Sequence, residues 1–156
     1  MKKTNAARIL DRLKIDYRLT EFSVDEQDLS ARNAAEKLKI PPEQVFKTLV
    51  ARGNKTGVVV VSIPGSAELD LKAMAKMSGN KKVELVPLKE IQQLTGYLRG
   101  AVSPLGMKVN YSCYVDQSAF NYSYIFINAG ARGIQIRITP SDLVNLIGAV
   151  TGKLII

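Results

Sequence analysis

The first place in this sequence where chemistry could sit is a lone lysine in an apolar run, Val45-Phe46-Lys47-Thr48-Leu49-Val50. Strand alternation puts Lys47 on the same face as Val45 and Leu49. Two readings compete for it. One is an edge-strand lysine facing solvent, a common device against aggregation. The other is a cation held on a pocket wall, able to meet a phosphate or polarise a carbonyl. A second candidate is Thr95-Gly96-Tyr97-Leu98-Arg99-Gly100-Ala101-Val102-Ser103-Pro104-Leu105-Gly106. Its glycines let the backbone approach a ligand, its proline stiffens the loop, and exposed amides there could bind an oxyanion. It lacks the Gly-Lys-Ser/Thr ending of a P-loop, which argues against nucleoside triphosphate hydrolysis; a purely structural loop is the plain alternative. A third is Asn128-Ala129-Gly130-Ala131-Arg132-Gly133-Ile134-Gln135-Ile136, a glycine turn between two strands with Arg132 at its tip.

What is missing narrows the chemistry further. The chain has no histidine and one cysteine, Cys113. The usual general base, the Ser-His and Cys-His nucleophile systems and the commonest zinc ligand are therefore absent. Cys113 sits in the strand-like run Tyr111-Ser112-Cys113-Tyr114-Val115 and reads as a small core residue. Catalysis must run on lysine, backbone amides, hydroxyls, carboxylates or the substrate itself. One cysteine cannot form an internal disulfide, which fits a reducing cytosol. Met1-Lys2-Lys3-Thr4-Asn5 is basic without the apolar stretch of a signal peptide, and Val58–Val61 is only strand length. A cytoplasmic protein without a membrane span is expected.

At 156 residues with 46% apolar content, one folded domain over 1–156 is expected. Lys and Arg number 22 against 14 Asp and Glu, a formal charge of +8. That excess favours polyanions, and equally describes a soluble basic protein with no special partner. The lysines come as short pairs (Lys2–Lys3, Lys37–Lys39, Lys72–Lys76, Lys81–Lys82), which points to a folded face meeting phosphates rather than a basic arm.

The elements that must position these groups follow from periodicity and breakers. Thr4 caps a first helix with Ala6, Ile9, Leu10 and Leu13 on one face. A strand covers Tyr17–Phe22, and a helix Ser30–Leu38 buries Ala31, Ala34, Ala35 and Leu38 until Pro41-Pro42 stops it. Val45–Arg52 and Gly57–Ile63 form a hairpin. Asp70 caps Leu71–Met77, with Leu71, Met74, Ala75 and Ser78 inward. A short strand at Lys82–Leu85 and a helix at Leu88–Leu94 precede the glycine-rich loop. Strands follow at Tyr111–Asp116, Tyr124–Asn128 and Ile134–Ile138. Thr139-Pro140-Ser141-Asp142 opens the last helix. The class is α/β with a mixed sheet.

Phe46-Lys47-Thr48-Leu49-Val50, then Gly96 through Gly106, then Ala129-Gly130-Ala131-Arg132-Gly133-Ile134-Gln135-Ile136, in that order, resemble the YbaK family of aminoacyl-tRNA deacylases. Glu68-Leu69-Asp70-Leu71-Lys72 and Lys81-Lys82-Val83-Glu84 extend the likeness over nearly the whole chain. The branch it looks like is that of the Cys-tRNA(Pro) deacylases, related to the editing insertion of bacterial prolyl-tRNA synthetase. The resemblance implies a compact domain with a barrel-like sheet flanked by helices, no metal, no cofactor, and a pocket for the 3′-terminal aminoacyl-adenosine of a charged tRNA. The family's essential lysine falls on Lys47, and its Gly-x-x-x-Pro loop runs from Gly100 to Pro104. Phe22, Asn128 and Gln135 stand where the founding deacylase has tyrosine, serine and aspartate. With Ala101, Val102, Ser103, Pro104 and Gly130 they are expected to line the substrate site. For the cysteine branch the resemblance implies that the substrate thiol attacks its own ester carbonyl. Alanine or another small residue on tRNA is the next substrate, with a prolyl-tRNA synthetase as the implied partner. A non-catalytic tRNA- or synthetase-binding module is the rival from another class.

Overall fold

Four side-chain caps start the helices of the computed structural model, which describes residues 3–156; Lys2, half of the amino-terminal lysine pair, lies outside the described residues. Thr4 accepts the Ala7 amide at 3.2 Å ahead of α1 (Asn5–Arg12), and Ser30 that of Asn33 at 3.2 Å ahead of α2 (Ala31–Leu38). Asp70 accepts from Ala73 at 3.1 Å before α3 (Leu71–Ser78). Thr139 accepts from Asp142 at 3.3 Å before α5 (Pro140–Ile147), where Pro140 occupies the first turn. Each cap satisfies an amide that the helix cannot satisfy itself. Ser30 thus lies just outside its helix, one residue from the expected start.

Strands β2 (Phe46–Gly53) and β3 (Gly57–Pro64) pair without slippage from Phe46 opposite Pro64 to Gly53 opposite Gly57. β3 is buried from Val59 to Pro64. Its continuous apolar run is what a strand covered on both faces requires. Around the hairpin stand β4 (Val83–Leu85), antiparallel to β2, then β5 (Ser112–Asp116), parallel to β3, and β8 (Val150–Gly152), parallel to β5. The order in this mixed sheet is β4-β2-β3-β5-β8. A second, antiparallel sheet has the order β1-β7-β6, from β1 (Arg18–Glu21), β6 (Ile125–Asn128) and β7 (Ile134–Ile138). A parallel bridge between Val45 and Phe126 ties the two sheets. The expected α/β class is found, with its strands shared between two sheets.

Ile125, Ile127, Ile136 and Ile138 of the second sheet bury one face against Leu10 of α1 and Leu143 of α5. The opposite face of that sheet carries Arg18, Thr20, Asn128, Gln135 and Arg137, because side chains alternate along a strand. Two of the expected site residues, Asn128 and Gln135, are on this polar face. No helix among the described residues is long and apolar enough to cross a membrane.

Three apolar positions expected inside are outside: Leu13 is 53%, Leu71 41% and Leu88 62% exposed. Leu13 is the C-cap of α1, where the chain has left the helical phase, and Leu71 is the first helical residue of α3. Leu88 falls in a 3₁₀ turn, Leu88–Glu90, that precedes the shorter helix α4 (Ile91–Thr95); its three-residue period rotates Leu88 off the α-helical face. The 3₁₀ turn Gln117–Asn121 and strand β8 have no counterpart in the sequence reading. Both are organised by Asp116, buried, whose carboxylate accepts the Ser118 and Leu154 amides at 3.1 and 2.8 Å.

Candidate active site

The start of α2, the start of β2, the β6–β7 turn and the glycine-rich loop converge on one cavity of about 110 Å³. Phe22, Lys47, Gly100, Val102, Asn128 and Gln135 line it, so six of the ten expected site residues are brought together, with Arg132 of the third segment beside them. Lys47 lies on an interior strand, between Val45, which bridges to β6, and the segment of β2 that pairs with β4. Solvent-facing edge placement therefore does not describe it. The side chain is half-buried, and Nζ donates to the Gly65 carbonyl at 3.3 Å. Burial lowers the ammonium pKa below its ordinary value; Glu68 opposes that shift and Arg32 reinforces it.

Gly100 has φ +81°, and a Cβ there would lie 2.9 Å from the Leu29 Cβ. Both the left-handed backbone and the close approach of Leu29 require glycine. Gly100→Ala is therefore expected to cost about 1–2 kcal/mol from backbone conformation alone, read by urea denaturation, and to lower the deacylation that the family resemblance implies. Gly57→Ala is the control: φ there is +77° but no atom lies within 4 Å of the added Cβ, so it should share the strain and spare the activity.

The β6–β7 turn holds the loop in place. Asn128 Nδ2 donates to the Gly100 carbonyl at 3.1 Å while Oδ1 accepts the Gly130 amide at 2.7 Å. Arg132 Nε donates to the Arg99 carbonyl at 3.0 Å, and its guanidinium pairs with Glu26 at 3.3 Å. Asn128 therefore lines the cavity with its polar atoms already committed to the loop. Gln135 differs. It is 4% exposed, and its Oε1 is buried without a hydrogen-bond partner. A buried acceptor left open in a cavity wall calls for a donor on the ligand.

Four expected site residues are not among those lining the cavity. Ala101 is buried and its amide donates to the Leu98 carbonyl at 2.9 Å, so that amide is not free for an oxyanion. Ser103 is fully buried with Oγ accepting the Leu105 amide at 3.2 Å. Pro104 faces a separate groove, and Gly130 packs on the Tyr97 ring, 2.8 Å from where its Cβ would be. The loop backs onto the protein through these residues, leaving Gly100 and Val102 toward the cavity. The sequence reading missed Asp28, Ser30 and Thr48, which also line it. Ser30 had a local signal, the cap of α2; the other two are placed only by tertiary contacts.

No lining group is set up as a base or nucleophile. Ser30 Oγ caps α2, Thr48 Oγ1 shares a 3.2 Å hydrogen bond with Ser62 Oγ, and Asp25 Oδ1 accepts the Gln27 amide at 2.9 Å. Hydrogen bonds from Ser30, side chain then backbone, hold the Asp28 carboxyl below its ordinary range. Cys113 lies in the same groove as Pro104, partly buried, with its thiol pushed up by burial and 3.4 Å from the Tyr111 carbonyl. Cys113→Ser is expected to leave deacylation within about twofold of wild type and to shift stability by less than about 1.5 kcal/mol, measured by single-turnover assay and thermal melt.

Residues 25–146 match the profile of the aminoacyl-tRNA editing domain. The chain belongs to the aminoacyl-tRNA editing domain family. An Enterococcus faecalis protein with the provisional name Cys-tRNA(Pro)/Cys-tRNA(Cys) deacylase EbsC is 49% identical over 145 residues, covering 93% of this chain and 88% of that protein. The uncharacterized protein YwhH of Bacillus subtilis is 29% identical over 125 residues, covering 80% and 78%. A crystal structure of a hypothetical protein matches with TM-score 0.87 and 26% identity over 96% of this chain and 97% of that one. A crystal structure provisionally titled as a trans-editing enzyme for prolyl tRNA synthetase shares the fold, with TM-score 0.83 at 24% identity over 99% of both chains. The cavity of this editing domain falls within the matched span but for Phe22 and Val24.

Proposed function

We propose that this editing domain is a trans-editing deacylase that releases a mischarged amino acid, cysteine foremost, from the 3′ end of tRNA(Pro). The observation that carries the reading is the pairing of a half-buried cation, Lys47, with an open buried acceptor, Gln135, in one small cavity that has no base or nucleophile in place. An aminoacyl ester has both an electrophilic carbonyl and an ammonium, and needs little more than orientation and charge stabilisation to break. Lys47 is assigned to the terminal phosphate or the ester carbonyl. The Gly100 and Val102 amides are assigned to the oxyanion. Gln135 Oε1 accepts from the aminoacyl group, and Phe22 supplies the apolar wall.

With cysteine the substrate provides the missing nucleophile. Its sulfur bonds to the ester carbonyl carbon, the ester C–O bond breaks, and the thiol proton passes to the departing ribose oxygen. The products are tRNA with a free terminal hydroxyl and a cysteine thiolactone, which water then opens to cysteine. Alanine or another small residue, cleared by water, is the second reading. Selection of tRNA(Pro) falls to a bound prolyl-tRNA synthetase. Single-turnover deacylation across tRNAs mischarged with cysteine, serine, alanine and proline, with and without the synthetase, tests the assignment. Equal slow rates on all four would leave only a binding module.

A further inference from the structure

Arg18 of β1 stands directly opposite Arg137 of β7 in the antiparallel register. Like charges facing each other across a strand pair oppose sheet formation unless something anionic sits between them. No acidic partner is supplied from within the described residues: neither arginine forms an ion pair. Arg137 Nε is buried without a hydrogen-bond partner, and its guanidinium carbon lies 4.3 Å from the centre of the Tyr124 ring. The stack orients the guanidinium, and an unfilled buried donor is as costly as an unfilled acceptor. The two arginines share a cavity of about 310 Å³ with Tyr124, Tyr17 and one exposed carboxylate, Asp16. Arg137 is also two residues along β7 from Gln135 on the same sheet face, roughly 7 Å at the usual strand rise. The arginine pair therefore lies on the same sheet face as Gln135, in a cavity lined by none of the residues that line the Lys47 cavity.

We infer that Arg18, Arg137 and Tyr124 form a second contact surface that grips the phosphodiester backbone of the RNA acceptor arm just before its 3′-terminal nucleotide. The inference rests on the tRNA reading of the cavity. Guanidinium forks suit phosphate oxygens, and the tyrosine ring presents a face on which guanidinium or base can stack. The contact reads backbone and not base sequence, so it serves affinity and register, with chemistry left to the Lys47 cavity. It also supplies a reason for the opposed arginines that the fold does not.

The test compares wild type with Arg18→Ala/Arg137→Ala and, because Arg137 is partly buried, with the single change Arg18→Glu at an exposed position. Lys55→Ala/Lys81→Ala removes two exposed charges elsewhere and controls for net charge. Binding of uncharged tRNA is titrated against salt, and deacylation is measured on charged tRNA and on aminoacyl-adenosine. The arginine variants should raise KM for charged tRNA about tenfold with kcat unchanged. The salt dependence of tRNA binding should become shallower by about 1 to 2 in log–log slope. Hydrolysis of aminoacyl-adenosine, which has no upstream phosphate, should not change. An unaltered KM and salt slope in folded Arg18→Glu would overturn the inference, as would an equal loss in the lysine control. If no charged tRNA is turned over at all, the deacylase reading fails, while uncharged tRNA binding still decides on the arginines.

Discussion

Lys47→Ala should lower deacylation by about two to three orders of magnitude, the size of effect seen when one group stabilising a developing charge is removed. Its melting temperature should stay within a few degrees of wild type. The two halves of that forecast have one physical source. Lys47 is only half-buried, its single hydrogen bond is a 3.3 Å contact to Gly65, and its charge is held where burial disfavours it. Removing it costs little packing and relieves a desolvated cation. The sign of the pH dependence follows. The folded ammonium has a pKa below the ordinary lysine value and so binds its proton less tightly than in the unfolded chain. The resulting penalty on the folded state is full below the folded pKa and disappears as pH rises from there to the unfolded value. Activity runs the other way, because the cation itself is lost over that rise. kcat/KM, which reports the free enzyme, should therefore fall on an alkaline limb placed below the ordinary lysine range. Lys47→Arg should move that limb upward and still lose most of the rate, because a planar fork does not replace a compact ammonium at a tight position. A folded Lys47→Ala protein with wild-type turnover would take lysine out of the mechanism.

Cys-tRNA should be cleared at least about a hundredfold faster than Ser-tRNA by the same protein, from the difference in nucleophile alone. The two substrates differ by one atom and fill the cavity almost equally, so binding supplies little of the discrimination. Reactivity supplies the rest. A thiol of pKa about 8.5 is ionised to a few per cent at neutral pH, whereas a serine hydroxyl needs a base. None is set up in the cavity: the Ser30 hydroxyl is occupied as a cap, Thr48 is tied to Ser62, the Asp28 carboxyl is held low by Ser30, and the Asp25 carboxylate accepts the Gln27 amide. The first product released should be the thiolactone, trapped by hydroxylamine and resolved by mass spectrometry before water opens it. Equal rates on the two substrates, with free amino acid as the first product, would instead favour activated water in a pocket that selects only for size. In that case Gln135, whose Oε1 awaits a donor, would be the first position to change.

Much of the scaffold was legible because its signals are local. Thr4, Asp70 and Thr139 announce helix starts through hydroxyl or carboxylate oxygens placed three residues from an unsatisfied amide. The apolar run of β3 announces a strand covered on both faces. Leu13, Leu71 and Leu88 went astray at helix ends, where periodicity no longer reports direction. The fate of individual polar atoms is another matter. Nothing in the spacing of Asn128 and Gln135 distinguishes a side chain saturated by the Gly100 carbonyl and Gly130 amide from one left open. Nor does the loop sequence separate the Ala101 amide, spent on Leu98, from its neighbours.

By itself the sequence determined the chemistry available, with lysine and backbone amides but no histidine and one cysteine, along with the order of elements that carries Lys47, Gly100 and Gln135. Tertiary structure alone decided which groups meet. Asn128 reaches Gly100 across 28 residues, Arg132 reaches Arg99 across 33, and the opposed arginines are 119 positions apart in a register set by burying the isoleucines on the other face. A side chain's free valence depends on which partners that packing delivers, and residue spacing along the chain does not record it.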